Sequence, residues 1–283
     1  MIILNALKSM LDSTGLLALT PGNVFLIFVG MLLVYLAIHK RYEPFLLLPI
    51  GFACVVANLP GTDLLLNGGL LSFFYLGVKH MIYPPLIFLG VGAMTDFGPM
   101  IANPSLLILG AFAHIGIFIA LIGAKLLGFS IFEAGAIGII GGADGPMAIY
   151  VTQHLAPHLM AQVSVAAYSY MALMPLIQPP IMRLLTTKKE RNIMMKQLRF
   201  VSKREKITFA LVITVIIDLL LPPIAPLITM LMLGNLMKES GVVDRLAKTA
   251  SGEFMNVITI LLGLSIGSTM GADTFLNLKT LEI

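Results

Sequence analysis

Between residues 23 and 38 the chain carries no charged side chain, and apolar runs of this kind recur almost to its end. A helix needs about 20 such residues to cross the hydrocarbon core of a bilayer. Residues 23–38 close on His39-Lys40-Arg41, a cytoplasmic anchor. Residues 44–58 form a second, rather short run closed by Pro60-Gly61. Residues 64–78 are weakly apolar and leave their status open. Residues 85–95 are half a membrane thick and stop at Asp96-Phe97-Gly98-Pro99. Residues 106–127 and 159–182 are full spans, the latter with Pro175 and a turn expected at Gln178-Pro179-Pro180. Residues 207–221, 225–236 and 254–272 follow, and 273–283 add no clear final span. Only 11% of the 283 residues are charged and 58% are hydrophobic, against roughly 25% and 45–50% in soluble domains. The chain is therefore expected to be an all-α polytopic membrane protein.

Charge divides it. Nine of the 18 basic residues lie between Arg183 and Lys206, opposed only by Glu190 and Glu205. Positive-inside topology accounts for such a cluster, and nucleic-acid binding is not expected. This gives a first membrane half at 1–182, a basic cytoplasmic linker at 183–206, and a second half at 207–283. Broken apolar segments in both halves point to an inverted-repeat transporter with broken or re-entrant helices and a midplane site. The single cysteine, Cys54, excludes an intrachain disulfide. No cleavable leader is evident in 1–20, so the first span is expected to serve as the insertion signal.

The segment 131–151 is apolar but interrupted by Gly138-Ile139-Ile140-Gly141-Gly142-Ala143-Asp144-Gly145-Pro146. About ten apolar residues on each side rise about 15 Å as helix, half of the core. The break thus falls at mid-membrane or at the tip of a re-entrant hairpin. Unwound backbone there is tolerated only in protein or beside a water-filled cavity. Free carbonyls and one carboxylate make a hard-oxygen site for Na⁺ or H⁺, and an intramembrane carboxylate is a functional candidate by default. The bland alternative is that Asp144 simply caps the helix starting near Pro146.

Other polar residues carry weaker signals. Asp96, before Gly98-Pro99, is either a surface turn or an ion site, and the flanking Gly-Pro and Asn103-Pro104 favour the turn. Asp218 is either an ion ligand or an interfacial residue. Asn235, Asn256, Thr259, Ser265 and Ser268 are expected to bond between helices. Tyr168, Ser169 and Tyr170 have both structural and proton-relay readings. Gly263-Leu264-Ser265-Ile266-Gly267 imitates a nucleophile elbow without the required strand or histidine. His154 and His158 have helical spacing but lack a third zinc ligand.

Longer motifs carry a resemblance. Residues 138–150 (GIIGGADGPMAIY), 164–181 (SVAAYSYMALMPLIQPPI), 90–99 (GVGAMTDFGP), 234–246 (GNLMKESGVVDRL) and 256–267 (NVITILLGLSIG) resemble the beta subunit of the sodium-pumping biotin-dependent decarboxylases. These enzymes act on oxaloacetate, methylmalonyl-CoA or glutaconyl-CoA. The resemblance implies a multi-pass subunit of the cytoplasmic membrane and a translocase complex. Decarboxylation of carboxybiotin would drive Na⁺ outward there. It implies partners: an alpha carboxyltransferase, a biotin carrier, and small gamma and delta membrane subunits, in an oligomer within lipid. It implies that Asp144 is a Na⁺ ligand, with backbone oxygens near Gly142 and Gly145, and that Tyr170 handles ions or protons. No biotinyl-lysine motif is present, which fits a subunit receiving carboxybiotin from outside. Family members run on by roughly a further quarter, with a second broken segment and partner Asn, Ser and Arg residues. This chain is accordingly expected to hold an incomplete second repeat and one half of the ion site. A secondary cation transporter and an inactive fragment are the competing readings. The absence of an extra-membrane insertion between 59 and 84 favours the shorter-type subunits.

Overall fold

The structure, a computed structural model, describes residues 14–62, 64–65, 68–194, 199–276, 280 and 282–283. The expectation of an uncleaved N-terminus falls largely on 1–13, outside the described residues. Among the described residues every element is helical and no strand occurs. Three helices are long and apolar enough to cross a membrane, or up to five if each bent pair counts as one span.

Helix α1 (Pro21–Tyr35) starts on a capping box: the Asn23 N–H donates to Thr20 Oγ1 (3.2 Å), and the Thr20 N–H to Asn23 Oδ1 (3.1 Å). This satisfies amides that a helix start leaves unpaired. A wider turn over Leu36–Lys40 ends it at Arg41, which is left-handed (φ 55°). Helix α2 (Pro44–Ala57) returns antiparallel. Helices α3 (Leu70–Lys79) and α4 (Tyr83–Met94) meet at 70° across a short break. The open segment 64–78 is thus resolved as the first arm of that break. A short α5 (Gly98–Ala102) precedes α6 (Leu107–Ala113) and α7 (Ile115–Leu126), whose apolar side chains point outward, as lipid-facing ones do. Then come α8 (Ile131–Gly138), α9 (Gly145–Leu155) and α10 (Met160–Leu185). The turn expected at 178–180 does not occur, because α10 stays helical through both prolines. Inside protein or lipid no water competes for the backbone, so neighbouring groups hold such a helix together.

The linker contains a single turn, α11 (Lys188–Arg191). Helix α12 (Lys203–Leu220) begins within the basic cluster, on a Ser202–Glu205 capping box. Helices α13 (Ala225–Ser240), α14 (Asp244–Thr249), α15 (Met255–Ser268) and α16 (Ala272–Phe275) complete the described chain. Small residues bring helices close together: a Cβ on Gly234 would stand 2.8 Å from the Ala93 nitrogen on α4. Close backbone approach is how membrane helices gain packing without a hydrophobic driving force.

The bundle has two distinct ends. At the basic end Lys238 donates to the Met94 and Thr95 carbonyls (3.0 Å each), closing α4. Lys206 there bridges Asp96 (2.8 Å) and Glu239 (3.3 Å). At the far end buried Asn58 ties three helices: its amide donates to the Met270 carbonyl (2.7 Å) and its oxygen accepts from the Ala272 N–H (3.0 Å) and Asn23 Nδ2 (3.4 Å). The main core holds Leu26, Ile50, Cys54, Ile149, Tyr168, Leu262 and Ile266. A second cluster holds Ala134, Ala148, Leu159 and Val163. Helix α9 lies between them, with Ile149 in one and Ala148 in the other.

Candidate functional site: a re-entrant hairpin with a carboxylate at its tip

Helix α8 is opened by a capping box in which the Ser130 N–H donates to Glu133 Oε2 (2.9 Å) and the Glu133 N–H to Ser130 Oγ (3.2 Å). Glu133 is buried, and its second oxygen, Oε1, meets His158 Nε2 at 3.0 Å, just beyond the end of α9. A Cβ on Gly135 would touch Leu155 at 3.0 Å. The start of α8 therefore lies beside the end of α9, and the two arms are antiparallel. Of the two sequence readings, the hairpin is the one realised. Eight helical residues at about 1.5 Å and four 3-10 residues at about 2 Å carry the tip roughly 20 Å from the far end.

The tip forms in three steps. A 3-10 turn, Ile139–Gly142, tightens the end of α8. Ala143 then turns left-handed (φ 54°, ψ 37°), and Asp144 is extended (φ −124°, ψ 101°). Asp144 Oδ1 accepts the Met147 N–H at 2.9 Å and caps α9. Capping and ion binding are compatible here, because Oδ2 has no hydrogen-bond partner among the described residues. Gly142 is exposed at the tip. Gly145 is the first residue of α9, so its carbonyl enters the helical ladder and keeps only its second lone pair. A Cβ on Gly116 of α7 would stand 2.7 Å from the Gly141 carbonyl, so the outer helix braces the tip at backbone contact.

Tyr168 of α10 closes the other side. A Cβ on Gly145 would meet its ring at 2.6 Å and its hydroxyl at 2.8 Å. Only glycine leaves room for the phenol beside Asp144. Tyr168 is 1% exposed and its hydroxyl has no partner among the described residues. Tyr170 lies two residues on, about 200° around the helix, and is 36% exposed. The structure thus brings Asp144, Gly145 and Tyr168 together and sets Tyr170 on another face. The signal for Tyr168 was the small residue two before Met147, which takes meaning only once α10 is laid against it. Ser130-Ile131-Phe132-Glu133 carries the capping-box spacing in the sequence, but nothing local marks His158, 25 residues away, as the partner of Glu133.

The remaining candidates resolve as follows. Asp96 forms the expected turn, accepting from the Gly98 N–H (2.9 Å) as well as Lys206. The Lys206 ammonium holds its carboxyl below the usual carboxylate range. Asp218 accepts from Thr229 Oγ1 (2.6 Å) and joins α12 to α13. Asn235 bonds the Thr95 carbonyl (2.9 Å) across helices, as expected. Thr259 instead bonds back within its own helix, to Met255 (2.8 Å), and Ser268 to Ser265 (2.6 Å), whereas Ser265 bonds back to Leu261 (2.7 Å) and also meets the Tyr83 side chain of α4 across helices, as expected. His154 contacts the Tyr150 carbonyl (2.9 Å), and among the described residues no three His, Cys, Asp or Glu side chains converge.

Fold and hairpin define an all-α polytopic membrane protein that holds a carboxylate within its helical bundle. The chain belongs to the family described as Na⁺-transporting oxaloacetate decarboxylase beta subunit, which matches residues 22–283. It is 55% identical over 278 residues to the glutaconyl-CoA decarboxylase subunit beta of Acidaminococcus fermentans, covering 98% of this chain and 74% of the relative. It is equally similar, with the same coverage, to the methylmalonyl-CoA decarboxylase subunit beta of Veillonella parvula. To the oxaloacetate decarboxylase beta chain of Klebsiella pneumoniae it is 43% identical, over 99% of this chain and 79% of the relative. The protein is accordingly a membrane subunit of the sodium-pumping decarboxylase type.

Proposed function

We propose that this subunit decarboxylates carboxybiotin delivered by a carrier partner and couples the reaction to Na⁺ export at the hairpin tip. The supporting observation is the tip itself: Asp144 Oδ2 unpartnered, beside a buried phenol without a partner. The basic end faces the cytoplasm, in a cytoplasmic membrane, and an alpha carboxyltransferase, a biotin carrier and gamma and delta subunits complete the translocase.

In the reaction the bond between the ring nitrogen and the carboxylate breaks. Its electron pair returns to nitrogen, which takes a proton, and CO₂ leaves. Exclusion of bulk water favours that step. Asp144 couples it to transport by exchanging Na⁺ for H⁺. The Asp144 carboxylate binds the ion together with backbone oxygens at Gly142 and Gly145. Tyr168 is placed to add its phenol oxygen, and Tyr170 is assigned an ion- or proton-handling role by family resemblance. Because carboxybiotin is common to all these complexes, this chain does not touch the carboxylic acid substrate. Its 55% identity to the two acyl-CoA enzymes, against 43% to the oxaloacetate enzyme, favours an acyl-CoA complex.

The test is Na⁺-dependent decarboxylation of carboxybiotin by the assembled complex. Asp144→Asn is expected to abolish Na⁺ activation, and full activity in that variant would overturn the site. Na⁺ flux without any biotin-carrying partner would instead identify a secondary transporter.

A further inference from the structure

We infer that a hydrated path for a monovalent cation runs from the hairpin tip along the seam of α9 and α10, past Thr152, into an oxygen-lined cleft at the far end of the bundle. The inference rests on the proposal that Asp144 handles Na⁺.

The cleft has a volume of about 500 Å³ and is walled by the starts of α1 and α10 and the end of α15. Asn23, Tyr75, His158, Gln162, Ser268 and Asp273 give it its polar lining, and among the described residues no lysine or arginine lines it. This contrasts with the opposite end, where the cations of the chain gather. A cleft supplying one carboxylate with amide and hydroxyl oxygens suits a hydrated cation, not an anion.

The seam connects this cleft with the tip. Tyr168 opposes Gly145, so in an antiparallel pair Ser164 comes level with Ile149, and Ala161 with Thr152. Thr152 lies seven residues, two turns or about 10.5 Å, beyond Gly145 on the same stripe of α9. Ala161 and Gln162 at that level already line the cleft. Among the described residues three buried side-chain oxygens on these two helices have no partner: Tyr168 Oη and Thr152 Oγ1 on the facing stripes, and Gln153 Oε1 next to Thr152, about 100° around α9. Thr152 is 0% exposed. Buried polar atoms in native proteins are paired with protein or with ordered water. A row of them between an ion-binding carboxylate and an oxygen-lined cleft is what a water-filled thread requires. Ile149 is the apolar step between tip and Thr152 and makes the constriction, with the buried Ser164 hydroxyl opposite.

The experiment uses the assembled complex in proteoliposomes and records ²²Na⁺ transport and Na⁺ activation of decarboxylation together. Thr152→Val, which keeps shape and removes the hydroxyl, is expected to slow Na⁺ transport at least several-fold. The half-saturating Na⁺ for decarboxylation, set at Asp144, is expected to stay within twofold. Thr152→Ser restores transport. Wild-type transport in Thr152→Val overturns the path but leaves the Asp144 site standing, whereas Na⁺-activated Asp144→Asn overturns both. Thr152→Cys gives an independent reading. A small cationic thiol reagent applied from the far side is expected to modify it, more slowly in Na⁺, and the buried Cys54 of the unaltered protein serves as the control. A Thr152→Cys thiol that the reagent never reaches means a dry seam and overturns the inference.

Discussion

At the scale of single residues, Tyr168 and Gly145 make a pair whose two halves fail differently. The phenol oxygen is buried without a partner, and such a group costs about 1–3 kcal/mol. Tyr168→Phe is therefore expected to leave thermal stability unchanged or raised while increasing the Na⁺ needed for half-maximal decarboxylation. If the oxygen were merely structural, stability would fall and the Na⁺ response would stay put. Tyr170→Phe, measured beside it, separates the residue assigned by resemblance from the one assigned by geometry. Gly145→Ala is expected to abolish activity, since the new methyl would lie 2.6 Å from the Tyr168 ring carbon and α9 or α10 must shift. Neither partner is marked as such in the sequence. GGADGP announces a break and a carboxylate, but not which of two tyrosines in AAYSYM will face it.

At the scale of elements, the hairpin is held at its base and turned at its tip by different physics. Glu133 accepts from both the Ser130 amide and His158. Its replacement by Ala removes the charged acceptor of the half-buried capping bond and of His158, and a loss of about 1–3 kcal/mol is expected in unfolding measurements. His158→Ala should cost less than about 1 kcal/mol, because the imidazole is 62% exposed. Equal effects would show that the base is not organised around Glu133. At the tip, Ala143 is left-handed, a conformation that costs a residue with a Cβ roughly 1–2 kcal/mol. Ala143→Gly should keep Na⁺-dependent activity and Ala143→Val should lose it. The break was legible in four glycines and a proline inside an apolar run. Its direction was not, because helical periodicity is the same for a segment that crosses and one that returns.

At the scale of the molecule, the two ends are closed by different chemistry. Lys206 and the Gly98 N–H keep the Asp96 carboxyl depressed. A depressed carboxyl adds stability above its unfolded value and loses it as pH falls through its folded value. The contact between α12 and the end of α4 should therefore hold through neutral pH and loosen only below about pH 4. Asp96→Asn is expected to flatten that acid limb in a melting-temperature series. Helices α4 and α13 meet at glycine, and Gly234→Leu should separate them and reduce the folded yield sharply.

Membrane class, helical segments, the break at Asp144 and the turn at Asp96 were written in the sequence alone. Each follows from composition and local backbone chemistry over a few residues. The family, too, was carried by runs of ten or more residues. Only the tertiary structure decided that α8 and α9 form a hairpin, that Tyr168 shares the tip with Asp144, and that Thr152 is fully buried. Those facts depend on which helix lies against which, and that is set by steric fit and burial between residues 20 to 200 positions apart.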